Sequence, residues 1–157
     1  MARPPRAAKT AAVTKVHSVL NTYNDLVYVD VSSLPNAGNG LFAKRPITAG
    51  MRLTFYGGRR FKQKDMHHHE NSQYVFGPVD GFFYDAKNEK RDSYLGRFAN
   101  DPIGPTRIKG NADKVNATIS RDHIYAEETS VFSLRSIEPG EEIFVDYSED
   151  YWKRVQF

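Results

Sequence analysis

A chain of 157 residues falls within the usual size of one domain, and its 39% hydrophobic and 13% aromatic content is enough to build one core. It contains no cysteine, which excludes a disulfide scaffold and every thiolate-ligated zinc module. The formal charge of +3, from 22 Lys and Arg against 19 Asp and Glu, is too small to require a nucleic-acid partner.

The first segment carries the excess charge. Arg3, Arg6, Lys9 and Lys15 stand among Ala, Pro and Thr, with no acidic residue before Asp25. Residues 1–24 are therefore read as a flexible basic arm, a solvated tail in the simplest case and a weak contact for nucleic-acid phosphates or a nuclear-targeting segment in the alternative. The arm lacks the continuous apolar stretch of a secretory signal. Nowhere does the chain reach the roughly 20 apolar residues that cross a bilayer, so an intracellular protein without membrane attachment is expected.

The ordered domain is expected over residues 25–157. Residues 26–31 (LVYVDV) are β-branched and aromatic and read as a strand. Residues 34–40 (LPNAGNG) combine Pro, Asn and Gly into a tight loop that needs positive φ, and a strand-like LFA follows. Arg45, Ile47, Gly50 and Leu53 are echoed 90 residues later by Arg135, Ile137, Gly140 and Ile143. Each set reads as strand, Gly turn, strand, which predicts two β-hairpins. Residues 61–73 (FKQKDMHHHENSQ) lack β-branched side chains and are highly charged, so a helix or a polar excursion is expected there. Apolar residues around Gly77-Pro78 and Asp80-Gly81 predict another hairpin between Tyr74 and Ala86. Many short strands with Gly-rich connections give a mostly-β fold.

Nine Tyr, ten Phe and one Trp can line a pocket as well as fill a core. Four segments in order single out which of them do. GNGLFA at 38–43, TFYGG at 54–58, FFYDA at 82–86 leading into GRFAND at 96–101, and VFSLRSIEPGEEIFVDY at 131–147 resemble the landmark motifs of SET-domain protein lysine methyltransferases. Asp-Tyr-Trp at 150–152 follows the last motif, as in the short stand-alone SET proteins of viruses.

That resemblance implies a β-clip fold of several short-stranded sheets with few short helices and a C-terminal knot-like substructure. It implies S-adenosylmethionine as cofactor, no metal, and a protein substrate with a basic, lysine-bearing tail such as a histone's, hence a nuclear, chromatin setting. A homodimer is implied by the viral forms.

By the resemblance Tyr147 is the active-site tyrosine and Tyr56 a wall of the lysine channel, with Val145 and Tyr151 also facing substrate. Gly38, Asn39, Gly40, Arg97, Phe98, Asn100, Asp101, Tyr147 and Trp152 are implied for the cofactor. Gly38 and Gly40 permit close backbone approach, Asn100 can bond the amino-acid end, Asp101 can face the sulfonium, and Trp152 can carry the adenine. Val145, small and apolar two residues before Tyr147, leaves room for di- or trimethylation. Where the family has Asn-His-Ser this chain has Asn100-Asp101-Pro102, and it lacks the cysteine cluster that often completes the channel. These departures keep open a catalytically weak SET-like module that binds a histone or a nucleic acid.

Three constellations carry weaker signals. His67, His68, His69 and Glu70 are adjacent rather than spaced as ligands on one helix face, and are read as a solvated loop. Gly57-Gly58-Arg59-Arg60 lacks a phosphate-loop signature and is read as a turn with two exposed arginines. The acidic set Glu138, Glu141, Glu142, Asp146, Glu149 and Asp150 would attract a basic substrate.

Overall fold

The structure, a computed structural model, describes residues 25–155. The expected basic arm lies outside these residues. Among them, strands outnumber helices and make three antiparallel sheets of three strands each.

The first sheet joins β1 (Val27–Val31), β2 (Asn39–Ala43) and β9 (Glu142–Ile143), with Val27 opposite Ala43 and Val31 opposite Asn39. The second joins β3 (Arg52–Phe55), β8 (Thr129–Ser133) and β7 (Ala117–Arg121). The third joins β4 (Arg59–Phe61), β6 (Phe82–Asp85) and β5 (Val75–Val79). The expected hairpin at 74–86 is β5–β6. Asp80 and Gly81 turn it with φ of 51° and 81°, the geometry that matches the strand twist, and the register shifts between Phe76 and Val79 where Pro78 has no N–H to give. The polar excursion is a 3₁₀ helix, Gln63–His69, with no buried residue.

The two echoed segments do form sharp Gly turns, but they do not close hairpins on themselves. β2, which enters the first turn, pairs with β9, which leaves the second, while β3 pairs with β8. The two turns therefore cross. Ile47 N–H donates to Ile137 O and Ile137 N–H donates to Ile47 O, both at 2.9 Å. Gly50 N–H donates to Ser133 O and Gly140 N–H to Ala43 O, both at 2.8 Å, an exchange that keeps the 90-residue offset. Gly50 and Gly140 hold φ of 83° and 85°, where a side chain would be strained.

This crossing buries Ile47 and Ile137 at 2% and 1% exposure and joins the first two sheets into one core with Leu41, Leu53, Val131, Ile143 and Val145. A smaller cluster of Phe61, Val75 and Phe83 lies under Met66 of the excursion. After β9 the chain runs beside residues 99–101 through a parallel bridge between Asn100 and Phe144, then enters the short helix α1 (Ser148–Arg154). Glu149 and Asp150 in its first turn and Lys153 and Arg154 in its last suit the helix dipole.

Candidate active site

A cleft of about 430 Å³ opens where the loop before β2, the turn Gly96–Phe98, the entry to β5 and α1 converge. Gly96 makes this convergence close: a Cβ there would lie 2.8 Å from Tyr56 Cα and 3.0 Å from Phe55 O. Any larger residue would push Arg97 and Phe98 away from Tyr56. Of the residues implied by the sequence, Gly38, Asn39, Tyr56, Arg97, Phe98, Asn100, Asp101, Tyr147, Tyr151 and Trp152 line the cleft.

Each of the three phenols spends its proton on a main-chain carbonyl. Tyr147 Oη donates to Ala99 O at 2.6 Å, Tyr56 Oη to Tyr74 O at 2.7 Å and Tyr151 Oη to Gln73 O at 2.7 Å. A hydroxyl so committed has only acceptor capacity left for anything entering the cleft. Burial, with the neighbouring phenols, pushes Tyr56 and Tyr147 well above a phenol's ordinary value, and burial pushes Tyr151 up to about 12. All three stay neutral at physiological pH, so they can orient a partner but cannot serve as anionic bases. The rings of Tyr147 and Tyr151 cluster with Trp152: Tyr147 is 4.5 Å from Tyr151 and 5.7 Å from Trp152, and Tyr151 meets Trp152 edge-on at 5.0 Å.

Asn100 Nδ2 donates to Asn39 O at 2.8 Å, which ties the glycine loop to the 97–101 segment. Arg97 donates one hydrogen bond to Tyr94 O and stacks on the Phe98 ring at 4.3 Å, and no carboxylate among the described residues forms an ion pair with it. Burial pulls its guanidinium below the ordinary arginine value. Burial makes this half-buried cation unfavourable, the attraction of the Glu89 carboxylate offsets part of that, and a ligand carboxylate would offset more.

Asp101 was expected to face the cofactor's cation. Instead its carboxylate is filled from within: Oδ1 accepts Ile103 N–H and Gly104 N–H, and Oδ2 accepts Trp152 Nε1–H at 2.8 Å, Tyr147 N–H at 3.1 Å and Arg107 Nη1–H at 3.1 Å. It is 6% exposed. It holds Trp152 and the backbone of Tyr147 in place while itself lining the cleft.

Gly40 and Val145 lie off the cleft lining. Gly40 is glycine because a Cβ there would overlap the Glu142 carboxylate, which accepts Ser32 Oγ–H and Ser33 Oγ–H at 2.6 Å and Ser33 N–H at 2.8 Å. Val145 is 1% exposed in the main core and meets the site through its backbone, N–H to Asn100 O at 2.9 Å. Its bulk is spent on core packing, not on cleft space. Conversely, Leu34, Gln73, Tyr74 and Phe76 line the cleft and were not singled out in the sequence. Gln73 and Tyr74 matter through main-chain carbonyls, which carry no side-chain signature. Phe76, 5.7 Å from the Tyr56 ring, was legible only as a strand aromatic.

The weaker constellations resolve into structure. No metal-binding group of His, Asp and Glu occurs among the described residues. His69 stacks on Phe61 at 3.7 Å, and Arg59 and Arg60 are exposed beyond a Gly57-Gly58 turn with φ of 73° and 85°. Three of the six acidic residues are ion-paired within the fold, Glu141 with Arg135, Asp146 with Arg107 and Glu149 with Lys153.

The comparisons with known proteins fit this geometry. A histone-lysine N-methyltransferase SETD7 from Halocynthia roretzi is 27% identical over 135 residues, 82% of this chain and 33% of that protein. The chain thus spans about a third of the length of that relative. The crystal structure of an active polycomb repressive complex 2 in the basal state contains a chain that matches with a TM-score of 0.57 at 24% identity, over 78% of this chain and 15% of that one, a likeness of fold. The SET domain family matches residues 38–148, from the glycine loop to the residue after Tyr147, and the chain belongs to that family.

Proposed function

We propose that this chain transfers a methyl group from S-adenosylmethionine to the side-chain nitrogen of a lysine in another protein, with residues 25–157 as the catalytic domain and 1–24 as an arm outside it. The observation that carries the reading is the convergence on one cleft of Tyr56 and Tyr147, each with its proton committed to a carbonyl, beside the half-buried guanidinium of Arg97.

The cleft's donor set suits the cofactor. Arg97 would take its carboxylate, Asn100 Oδ1 and the backbone of Gly38 and Asn39 its ammonium, and the Phe98 and Trp152 rings its adenine. When bound, S-adenosylmethionine supplies a methyl carbon on a sulfonium, which an uncharged amine can take by direct displacement. No metal is needed for that step.

The remaining task falls to the protein. A free lysine has a pKa of about 10.4 and is nearly all ammonium at neutral pH, so its proton must leave for solvent before attack. Aromatic walls at Tyr56, Tyr147 and Tyr151 disfavour the charged form. The phenol oxygens, left as acceptors, receive the amine's N–H groups and so turn its lone pair toward the cofactor end of the cleft. Holding reactants in such an arrangement accounts for a large share of the barrier in a reaction of this type, on the order of 7–11 kcal/mol at best.

A histone tail is the substrate class we propose, and chromatin in the nucleus its setting. The name of the Halocynthia relative, a histone-lysine N-methyltransferase, supports this. Incubation with S-adenosylmethionine and core histones, followed by mass spectrometry of the tails, tests it. Methyl-lysine on a tail is the expected result. Histone binding without any methylated lysine would identify a binding module instead.

A further inference from the structure

A second group of polar side chains stands behind the cleft rather than in it. Asp85, the last residue of β6, accepts Ser72 Oγ–H on Oδ1 at 2.6 Å and pairs through Oδ2 with His69 Nδ1 at 2.6 Å. Lys87 N–H also donates to Oδ1, at 3.0 Å. These side chains are nearly buried, with Ser72 at 8% exposure and the side chains of Asp85 and His69 at 10% and 11%. They border a separate polar cavity, and none of them lines the cleft.

The group nevertheless reaches the cleft through three residues of backbone. Ser72 Oγ, while donating to Asp85, accepts Tyr74 N–H at 3.2 Å, and Ser72 N–H donates to His69 O at 3.0 Å. Tyr74 O accepts Ala86 N–H at 3.1 Å. Residues 72–74 are thus fixed at one end by the Asp85 carboxylate and at the other by the residue that follows it. The side chains of Gln73 and Tyr74 are exposed, so they add little to this hold. Yet the two carbonyls that receive the hydroxyls of Tyr151 and Tyr56 are those of Gln73 and Tyr74.

We infer that Asp85 and Ser72 are positioning residues for the methyl transfer proposed above, setting through backbone 72–74 the direction in which the Tyr56 and Tyr151 hydroxyls point. The role rests on that activity. A carboxylate suits it because a charge-assisted hydroxyl bond is short and strong, and the two oxygens divide their bonds between Ser72 and His69. Tyr147 is a built-in control, since its hydroxyl is held by Ala99 O, away from this group.

The test compares Ser72→Ala, Ser72→Thr and Asp85→Asn with the wild type in protein labelled at the tyrosine ring carbon that bears oxygen. The expected result is a kcat lowered about tenfold in Ser72→Ala, the KM for S-adenosylmethionine changed by less than about twofold, and recovery of most of the rate in Ser72→Thr. The carbon resonances of Tyr56 and Tyr151 shift in Ser72→Ala and Asp85→Asn, and that of Tyr147, which feels the change only through the neighbouring Tyr151 ring, shifts less. An active wild type with equally active Ser72→Ala and Asp85→Asn overturns the role alone, as does an equal shift of all three resonances. A wild type that transfers no methyl group overturns the activity and the role with it.

Discussion

The Asp101 carboxylate accepts N–H groups from Ile103, Gly104, Tyr147, Trp152 and Arg107 while almost fully buried. Removing it would leave several donors without partners where water cannot reach them. Asp101→Ala is therefore expected to destabilise the fold by about 3–5 kcal/mol, and Asp101→Asn, which keeps shape and some acceptors, by about 1–2 kcal/mol. Urea unfolding with tyrosine and tryptophan fluorescence measures this, and an unchanged midpoint in Asp101→Ala would contradict it. Sequence singled out this position, but residue type could not say whether the carboxylate faces a ligand or its own backbone. Tyr56 and Tyr147 were legible because their motifs are specific. Gln73 and Tyr74 were not, because they act through carbonyls that every residue possesses.

The crossing of the two Gly turns explains why a local pattern can be seen and its partner missed. The 90-residue echo encodes the same bend twice, with Ile buried before it and Gly at positive φ after it. Which strand closes on which is set by contacts far apart in sequence, and a hairpin is only the shortest choice. The glycines also differ in what they are for. Gly50 and Gly140 have open space around a would-be Cβ, so Gly50→Ala carries only the strain of its φ, about 1 kcal/mol. Gly40 has no such φ, but a Cβ there would strike a carboxylate pinned by Ser32 and Ser33. Gly40→Ala is expected to lose about 2 kcal/mol or more, and thermal unfolding of the two variants should rank them in that order. The reverse ranking would refute the packing argument. The short helix α1 was missed in sequence, since seven residues give too little periodicity to read.

At the scale of the whole molecule, several carboxylates outside the cleft link stability to pH. Burial alone would raise the Glu89 carboxyl, but hydrogen bonds from Arg91 and Gly58 N–H overcome it and hold Glu89 at about 2, below its ordinary 4.5. Asp122, bonded by Arg52 and Ser130, and Asp85, bonded by Ser72 and His69, are likewise held below the usual aspartate value against their burial. A carboxyl depressed by folding stabilises fully above its unfolded value, so this contribution fades as pH falls from about 4.5 toward 2. Glu128, raised by burial, works in the opposite sense. The thermal midpoint should drop steeply across that window, and Glu89→Gln should flatten part of the drop; equal acid sensitivity in the variant would contradict the assignment. The mostly-β architecture was legible from short strands and Gly-rich turns, and the family from motif order. The closure of the cleft by main-chain carbonyls and by Asp101 emerged only in three dimensions. Tritiated methyl transfer from S-adenosylmethionine to core histones, run on wild type and Tyr147→Phe with cofactor binding measured by calorimetry on both, decides whether the chain is a methyltransferase that works through Tyr147. Transfer is expected to fall at least about 100-fold in the variant, with cofactor affinity kept within about threefold. Equal transfer by the two proteins, or none by the wild type, would contradict it.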